Sequence, residues 1–350
     1  MSGGVDSAVS ALLLRRAGYE IHGLYMSNWE DDDSYCTGAQ DFQDARAVAA
    51  ELGIPLHRVS FAEEYRARVF DYFLTEYRAG RTPNPDVLCN REIKFGICLE
   101  YAARLGAQRF ATGHYARLEQ RGAVPALLKA LDPDKDQSYF LHAVEREHFA
   151  RVIFPLGELT KTEVRAQARE AGLPVYDKPD STGICFIGER PFREFLARYI
   201  PMTPGDIVTE RGEIVGRHRG LAFYTLGQRG GLEIGGRAGQ REDAWYVAAK
   251  DLARNQLLAV QGHDHPLLVS RALTTGPCNW LVQPGTPEFD SQIKVRYRQA
   301  DQSCHAILVE GGALEIRFDE PQRAVTPGQF AVLYDGERCL GGGVIERTTP

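Results

Sequence analysis

Ser2-Gly3-Gly4-Val5-Asp6-Ser7 runs directly into Ala8-Val9-Ser10-Ala11-Leu12-Leu13-Leu14-Arg15-Arg16. The apolar residues of this second stretch predict a buried helix over Ser7 to Arg16, stopped by Gly18. A glycine loop placed before a helix has two uses. Glycines let the backbone approach a ligand closely, and the first turn of the helix offers unpaired N–H groups to an anion. A plainer reading is a glycine turn in which Asp6 or Ser7 serves as the N-cap. The loop is not a P-loop: it lacks Gly-Lys-Ser/Thr and so has no lysine to reach a terminal phosphate.

Outward from this loop, segments of strand and helix character alternate. Glu20 to Met26 reads as a strand, Asp41 to Leu52 as a helix closed by Gly53, and Ile54 to Phe61 as another strand. Helices are expected near Glu63 to Tyr77 and Glu92 to Leu105, then a strand at Arg109 to Thr112. Thr160 and Glu163 form a capping-box pattern for a helix running to Ala171 and ending at Gly172. This alternation predicts an α/β domain with a parallel, doubly wound sheet. In such a sheet a strand normally precedes the phosphate loop, yet here Met1 alone stands before it. The first strand is missing from the sequence, which implies either a truncated or misassigned start or a sheet without its central strand.

After Tyr199 the texture changes to Pro201, Pro204 and frequent glycine, with short strands expected at Asp206 to Val208 and Glu213 to Val215 around Arg211-Gly212. From Leu267 onward, Gln292 to Tyr297, His305 to Val309, Leu314 to Phe318 and Phe330 to Tyr334 alternate like strands of a small antiparallel β-barrel. The expected division is residues 1–197 as the catalytic domain, 198–266 as a small β-containing domain and 267–350 as the barrel.

Composition sets the outer limits. With 43% hydrophobic and 25% charged residues in 350, the chain is expected to fold and be soluble. It has no apolar run long enough for a membrane span and no signal-peptide pattern. The cysteines at 36, 89, 98, 185, 278, 304 and 339 contain no Cys-x-x-Cys pair, so free thiols in a reducing cytoplasm are expected rather than a disulfide framework or a zinc site. A net charge of -6 argues against coating nucleic acid by bulk charge. Between Arg211 and Arg241, however, six arginines stand against two glutamates, a local patch able to grip phosphates.

Thr82-Pro83-Asn84-Pro85-Asp86-Val87-Leu88-Cys89-Asn90 places a carboxylate and a thiol three residues apart, one helical turn if the chain coils after Pro85. Cys185 lies in Ser181-Thr182-Gly183-Ile184-Cys185-Phe186, between apolar neighbours and glycines. Either cysteine taken alone reads more readily as core than as catalytic. Cys36 follows the acidic run Glu30 to Asp33 and reads as a solvated loop, Cys98 as core, and Cys304-His305 as an isolated pair without a role.

Ser2 to Ser7 resembles the pyrophosphate-loop signature of ATP pyrophosphatases. Together with the Asn84-Pro85-Asp86-x-x-Cys89-Asn90 and Ser181-Thr182-Gly183-x-Cys185-Phe186 segments, it resembles the tRNA-specific 2-thiouridylase family over nearly the whole chain. Ala111-Thr112-Gly113-His114-Tyr115, Lys135-Asp136-Gln137-Ser138-Tyr139, Lys294-Val295-Arg296-Tyr297-Arg298 and Thr326-Pro327-Gly328-Gln329 agree with it as well. The resemblance implies ATP-dependent 2-thiolation of the wobble uridine of tRNA, with Mg²⁺ accompanying the nucleotide and a persulfide donor protein supplying sulfur. Ser2, Gly3, Gly4, Val5, Asp6 and Ser7 would hold ATP phosphates, with Met26 and Gly113 near the nucleoside. Asn84, Pro85 and Asp86 would contact the target base. Cys89 would be the nucleophile and Cys185 the persulfide carrier, the two joining in a disulfide on one route of the relay. His114, Lys135, Asp136, Gln137, Arg296, Tyr297 and Gln329 would contact the tRNA anticodon stem-loop, and the alternation of Val295 to Arg298 expects a strand with one basic face. No metal ligands are implied within the protein itself. Two rival readings are an AMP-forming ligase built on the same loop, and a tRNA-binding chain inactivated at its N-terminus.

Overall fold

The computed structural model describes residues 1–29, 38–120, 122–180, 191–234 and 243–350. The loop-borne helix spans Val5–Arg16, with Gly4 in extended conformation at its N-cap and no side chain capping it. At the other end Gly18 donates its N–H to the Arg15 carbonyl at 3.0 Å, the stop read from the sequence. Val5, Ala8, Val9 and Leu12 are buried against Val48 and Leu52 of the helix Gly38–Leu52 and Val164 of the helix Lys161–Glu170. The capping box is formed: the Thr160 hydroxyl accepts from the Glu163 N–H and the Glu163 carboxylate accepts from the Thr160 N–H.

The parallel strands occur as two separate pairs. Gly23–Ser27 pairs with Leu56–Ser60, and Phe110–Ala111 pairs with Val152–Ile153. Among the described residues no strand joins the pairs. On the first pair, the Met1 amine donates to the Leu24 carbonyl at 2.6 Å, and burial pulls its pKa down to about 6.

Two long helical stretches follow, residues 62–78 and 85–104, each containing a π-helical segment, Arg66–Phe70 and Cys89–Cys98. The second begins at Pro85, earlier than the periodicity suggests. Proline suits the first helical position because its missing N–H is not needed there, and the Asn84 side chain caps the turn by accepting from the Asp86 N–H at 3.2 Å. Tyr65, Phe70, Phe73 and Phe195 pack with Leu257, Ala259 and Val247 of the central domain in one continuous core.

The central sheet has the order Ile214–His218, Gly205–Val208, Gln256–Gln261, Trp245–Asp251. Beyond it a closed six-stranded barrel runs Val269–Thr275, Leu314–Arg323, Gln302–Leu308, Glu288–Lys294, Phe330–Asp335 and Arg338–Thr349, the last pairing back to the first. The N-terminal α/β domain adds to this sheet. Its hairpin Arg117–Glu119 and Ala126–Leu128 joins the barrel edge through Leu128 opposite Arg338.

One strand differs from expectation. Glu288–Lys294 ends before Val295, and residues 295–298 form a bend and turn in which Arg298 adopts φ 61. Buried Val295 donates its N–H to the Gln299 side chain at 2.8 Å, a bond that closes the turn and ends the ladder. The basic strand face expected from Arg296 and Arg298 is therefore replaced by an exposed turn, with Arg298 over the Tyr297 ring at 5.2 Å. No described helix is long and apolar enough to cross a membrane.

Candidate functional site

The glycine loop is held by its own serines. Ser7 Oγ accepts the Ser2 N–H at 3.1 Å and donates to the Gly4 carbonyl at 3.0 Å. Gly3 has φ +78, and a Cβ there would lie 2.2 Å from the Asp41 carbonyl oxygen, so both its conformation and its contact require glycine. Gly113 follows the strand Phe110–Ala111 and rests on the start of the helix, where a Cβ would come 2.9 Å from the Asp6 carbonyl carbon. Met26 lies near the C-terminal end of the strand Gly23–Ser27. In parallel sheets ligands bind outside these strand ends, so Met26, Gly113 and the helix start share one rim.

Around the loop lies a network of charge absent from the sequence reading. Lys161 donates to both Asp6 oxygens at 2.7 and 2.9 Å and pairs with Asp180 at 2.7 Å. Asp180 also pairs with Lys135 at 2.8 Å and Arg165 at 3.0 Å. Burial raises its pKa, but the Lys135 and Lys161 ammonium groups outweigh burial and hold it at about 2. Lys178 donates to the Gly3 carbonyl at 3.1 Å and pairs with Asp41 and Asp44. Tyr115 donates its hydroxyl to Asp6 at 2.8 Å. An uncapped helix start ringed by lysines fits the phosphates of a nucleotide, whose charge can replace the carboxylates as partners. Among the described residues no group of three or more His, Cys, Asp or Glu is arranged to hold a metal ion.

The second half of the site is the helix start at Pro85. Asp86 lies in its first turn and is half-buried, and Cys89, three residues on, is buried. Burial raises the Asp86 pKa, partly offset by the Lys94 charge. The two halves are linked by His114, next to Gly113. Its ring centroid is 5.6 Å from that of Phe95, beside Lys94, and burial pushes its pKa well down, with Lys94 acting in the same direction. His114 is thus a neutral imidazole, bonded through Nδ1 to the Thr112 hydroxyl at 2.8 Å. Asn28, just past Met26, places its Nδ2 3.9 Å from Cys89 Sγ. Cys185 and Cys36 lie outside the described residues, as do Arg237 and Arg241 of the arginine-rich stretch.

The remaining predicted residues fall mostly at the junction with the barrel. Asp136 is buried, accepting from the Ala130 N–H at 3.1 Å and the Ser138 hydroxyl at 3.0 Å, and meeting Lys294 of the barrel at 3.4 Å. Gln137 Oε1 accepts the Tyr115 N–H at 3.0 Å. Gln329 donates to the Thr82 carbonyl at 2.7 Å, and the Thr82 N–H donates to the Pro327 carbonyl at 3.0 Å. Thr82 therefore ties the barrel to the segment leading into Asp86 and Cys89. Next to it, Lys250 of the central domain donates to the Gly80 carbonyl at 3.0 Å. Residues 80–82 are a meeting point of all three domains. Arg296 is exposed.

Residues 1–189 match the family described as tRNA methyl transferase HUP domain, residues 193–261 the tRNA methyl transferase PRC-barrel domain, and residues 270–345 the aminomethyltransferase beta-barrel domain. The tRNA-specific 2-thiouridylase MnmA of Chromohalobacter salexigens is 58% identical over 99% of this chain and 91% of its own length. Its counterpart in Pseudomonas putida W619 is 57% identical over 100% of this chain and 94% of its own length. The chain belongs to the tRNA-specific 2-thiouridylase family. Asn28, Lys94, Lys161, Lys178 and Asp180 line the candidate site of this thiouridylase-family chain and were not singled out by motif reading. Lys161 lies 155 positions from Asp6, a pairing that no local signal in the sequence reveals.

Proposed function

We propose that the chain is an ATP-dependent tRNA 2-thiouridylase that replaces the C2 oxygen of the wobble uridine with sulfur. The observation that carries this reading is the pairing of an uncapped, lysine-ringed helix start with a half-buried carboxylate and a buried thiol three residues apart, Asp86 and Cys89, linked through Gly113 and His114. Curated relatives named tRNA-specific 2-thiouridylase support it.

The chemistry assigns a task to each half. A uracil carbonyl oxygen is a poor leaving group. Attack by that oxygen on the α-phosphate of ATP, with loss of pyrophosphate, turns it into part of AMP. The amides of Val5 to Ser7 and the Lys161 and Lys178 ammonium groups would stabilise the charge that develops on the phosphates. Mg²⁺, if it accompanies the nucleotide, would add to that stabilisation. Asp86, whose burial favours the neutral acid, is suited to exchanging protons with the base.

Sulfur would arrive as a persulfide on Cys185, delivered by a donor protein. Two routes balance. The terminal sulfur attacks C2, AMP leaves, and the Cys89 thiolate then displaces the product sulfur by attacking Cys185 Sγ. Alternatively, Cys89 attacks Cys185 Sγ first and frees bisulfide, which attacks C2. Both end in a Cys89–Cys185 disulfide that an external thiol must reduce. The wobble base must turn out of its stack, at a cost of a few kcal/mol. Contacts to the anticodon stem-loop by Arg296, Tyr297 and the arginines of the central domain would offset that cost. Lys135, Asp136, Gln137, His114 and Gln329 would act from the junction beneath.

The test is a reaction with ATP, tRNA and a persulfide donor, read by mass spectrometry of the digested nucleosides and by pyrophosphate release. Thiolated uridine together with tRNA-dependent pyrophosphate is the expected result. A methylated base would identify methyl transfer instead, and pyrophosphate without thiolation would favour an AMP-forming ligase. Cys89→Ser is expected to abolish thiolation while leaving tRNA binding intact. Full thiolation by that variant would refute the role given to the thiol.

A further inference from the structure

Asn28 is placed at a cost to the fold. Its Nδ2 lies 3.9 Å from Cys89 Sγ, and its Oδ1 is buried with no hydrogen-bond partner among the described residues. A buried carbonyl left unpaired is a net loss of folding free energy, which replacement of the amide by an apolar side chain of similar size removes. Native proteins keep few such groups, and those they keep ask for a reason other than stability. The position supplies one. Asn28 follows the strand Gly23–Ser27 at the rim where Met26 lies, and its amide is turned toward the thiol of Cys89 near the start of the opposing helix.

We infer that Asn28 is a positioning residue for Cys89: its Nδ2–H donates to the sulfur, favours the thiolate over the thiol, and aims it across the rim. This rests on the reading of Cys89 as the reacting thiol of a thiouridylase. Cys89 sits among Val69, Phe70 and Phe73 in an apolar core, surroundings that favour the neutral thiol. Along the helix Asp86 stands three residues before it and Glu92 three residues after, the latter paired with Arg68 and Arg91, and a charged Asp86 would oppose a thiolate. An N–H donor aimed at the sulfur works against both. The free Oδ1 leaves the amide without a second anchor, so this donor is its one assigned task.

The test uses two variants of nearly unchanged size in the full-length chain, Asn28→Leu and Asn28→Asp. The first readout is the rate at which iodoacetamide alkylates Cys89, followed by mass spectrometry of its peptide, with buried Cys98 as the internal control for loosening of the fold. The second is the urea midpoint of unfolding. Loss of a hydrogen bond to a charged group predicts alkylation of Cys89 about tenfold slower or more in Asn28→Leu, and slower still in Asn28→Asp. Cys98 should be unaffected, and the urea midpoint of Asn28→Leu should equal or exceed that of the parent. In the thiolation assay kcat should fall with the KM for ATP unchanged. Parental alkylation of Cys89 in Asn28→Leu would overturn the inference. So would a loss of reactivity accompanied by a lower urea midpoint and faster alkylation of Cys98, the signature of a structural role. Alkylation needs neither ATP nor tRNA, so this result stands apart from any failure of the thiolation reading itself.

Discussion

Replacing Gly328 by alanine tests whether the barrel holds the catalytic segment through Thr82. Gly328 has φ +94, and a Cβ built there meets the Thr82 backbone nitrogen at 2.9 Å and its carbonyl carbon and oxygen at 3.0 Å. The backbone conformation alone costs an alanine about 1–2 kcal/mol. The contact is with backbone on both sides and cannot be relieved by a side-chain rotation, which adds about 1–3 kcal/mol. If the segments part to relieve it, the bonds from the Thr82 N–H to Pro327 and from Gln329 to the Thr82 carbonyl are strained, each contributing about 1 kcal/mol. The expected total is about 2–5 kcal/mol if the contact stands and about 3–4 kcal/mol if the segments part. Gly312→Ala is the control: it shares the barrel and has φ +78, but nothing lies within 4 Å of its Cβ, so about 1–2 kcal/mol is expected. Urea unfolding followed by the fluorescence of Trp29, Trp245 and Trp280 reports both changes. At a temperature where both variants are folded, Gly328→Ala should also thiolate tRNA more slowly, whereas Gly312→Ala should match the parent. Equal stability and equal thiolation of the two would refute the coupling through Thr82.

Two further outcomes are expected. Burial lowers the pKa of Lys250 from 10.5 to about 8, so the folded protein gives up this proton more readily than the unfolded chain. Stability should therefore rise with pH between about 8 and the unfolded value, by at most about 3 kcal/mol, and Lys250→Met should flatten that rise in urea midpoints measured across the range. Arg296→Ala should weaken tRNA binding and reduce the salt dependence of the association constant by about one unit, measured by binding titrations at several salt concentrations. An unchanged slope would remove the exposed turn after Lys294 from the tRNA contacts.

Much of the catalytic domain was legible because its signals are local. The apolar face of the first helix, the Thr160–Glu163 box and the glycine stops at Gly18 and Gly172 each act within a few residues, and each is found where the pattern places it. The coil beginning at Pro85, with Asp86 and Cys89 on one turn, was likewise inferable from proline and spacing. Alternation misled at Val295 to Arg298, because a side-chain bond from Gln299 closes a turn where the pattern suggests a strand. The strand Arg338–Thr349 was hidden by its Gly341-Gly342-Gly343 run, a composition poor in strand signal that nevertheless suits close approach to neighbouring carbonyls. The charge network joining Asp6 to Lys161 and Asp180 depends on tertiary contact across most of the catalytic domain, and no periodicity carries that information.

The hairpin that the catalytic domain lends to the barrel edge bears on how this chain can be divided. A cut between the recognised modules would leave the Arg338–Thr349 strand without its Leu128 neighbour and the Asp136 carboxylate without Lys294. Fragments made at module boundaries would thus give up the pairing at Arg338 and leave a buried carboxylate short of its cation. Recombining such pieces with those of a distant relative would succeed when the hairpin travels with the barrel it completes.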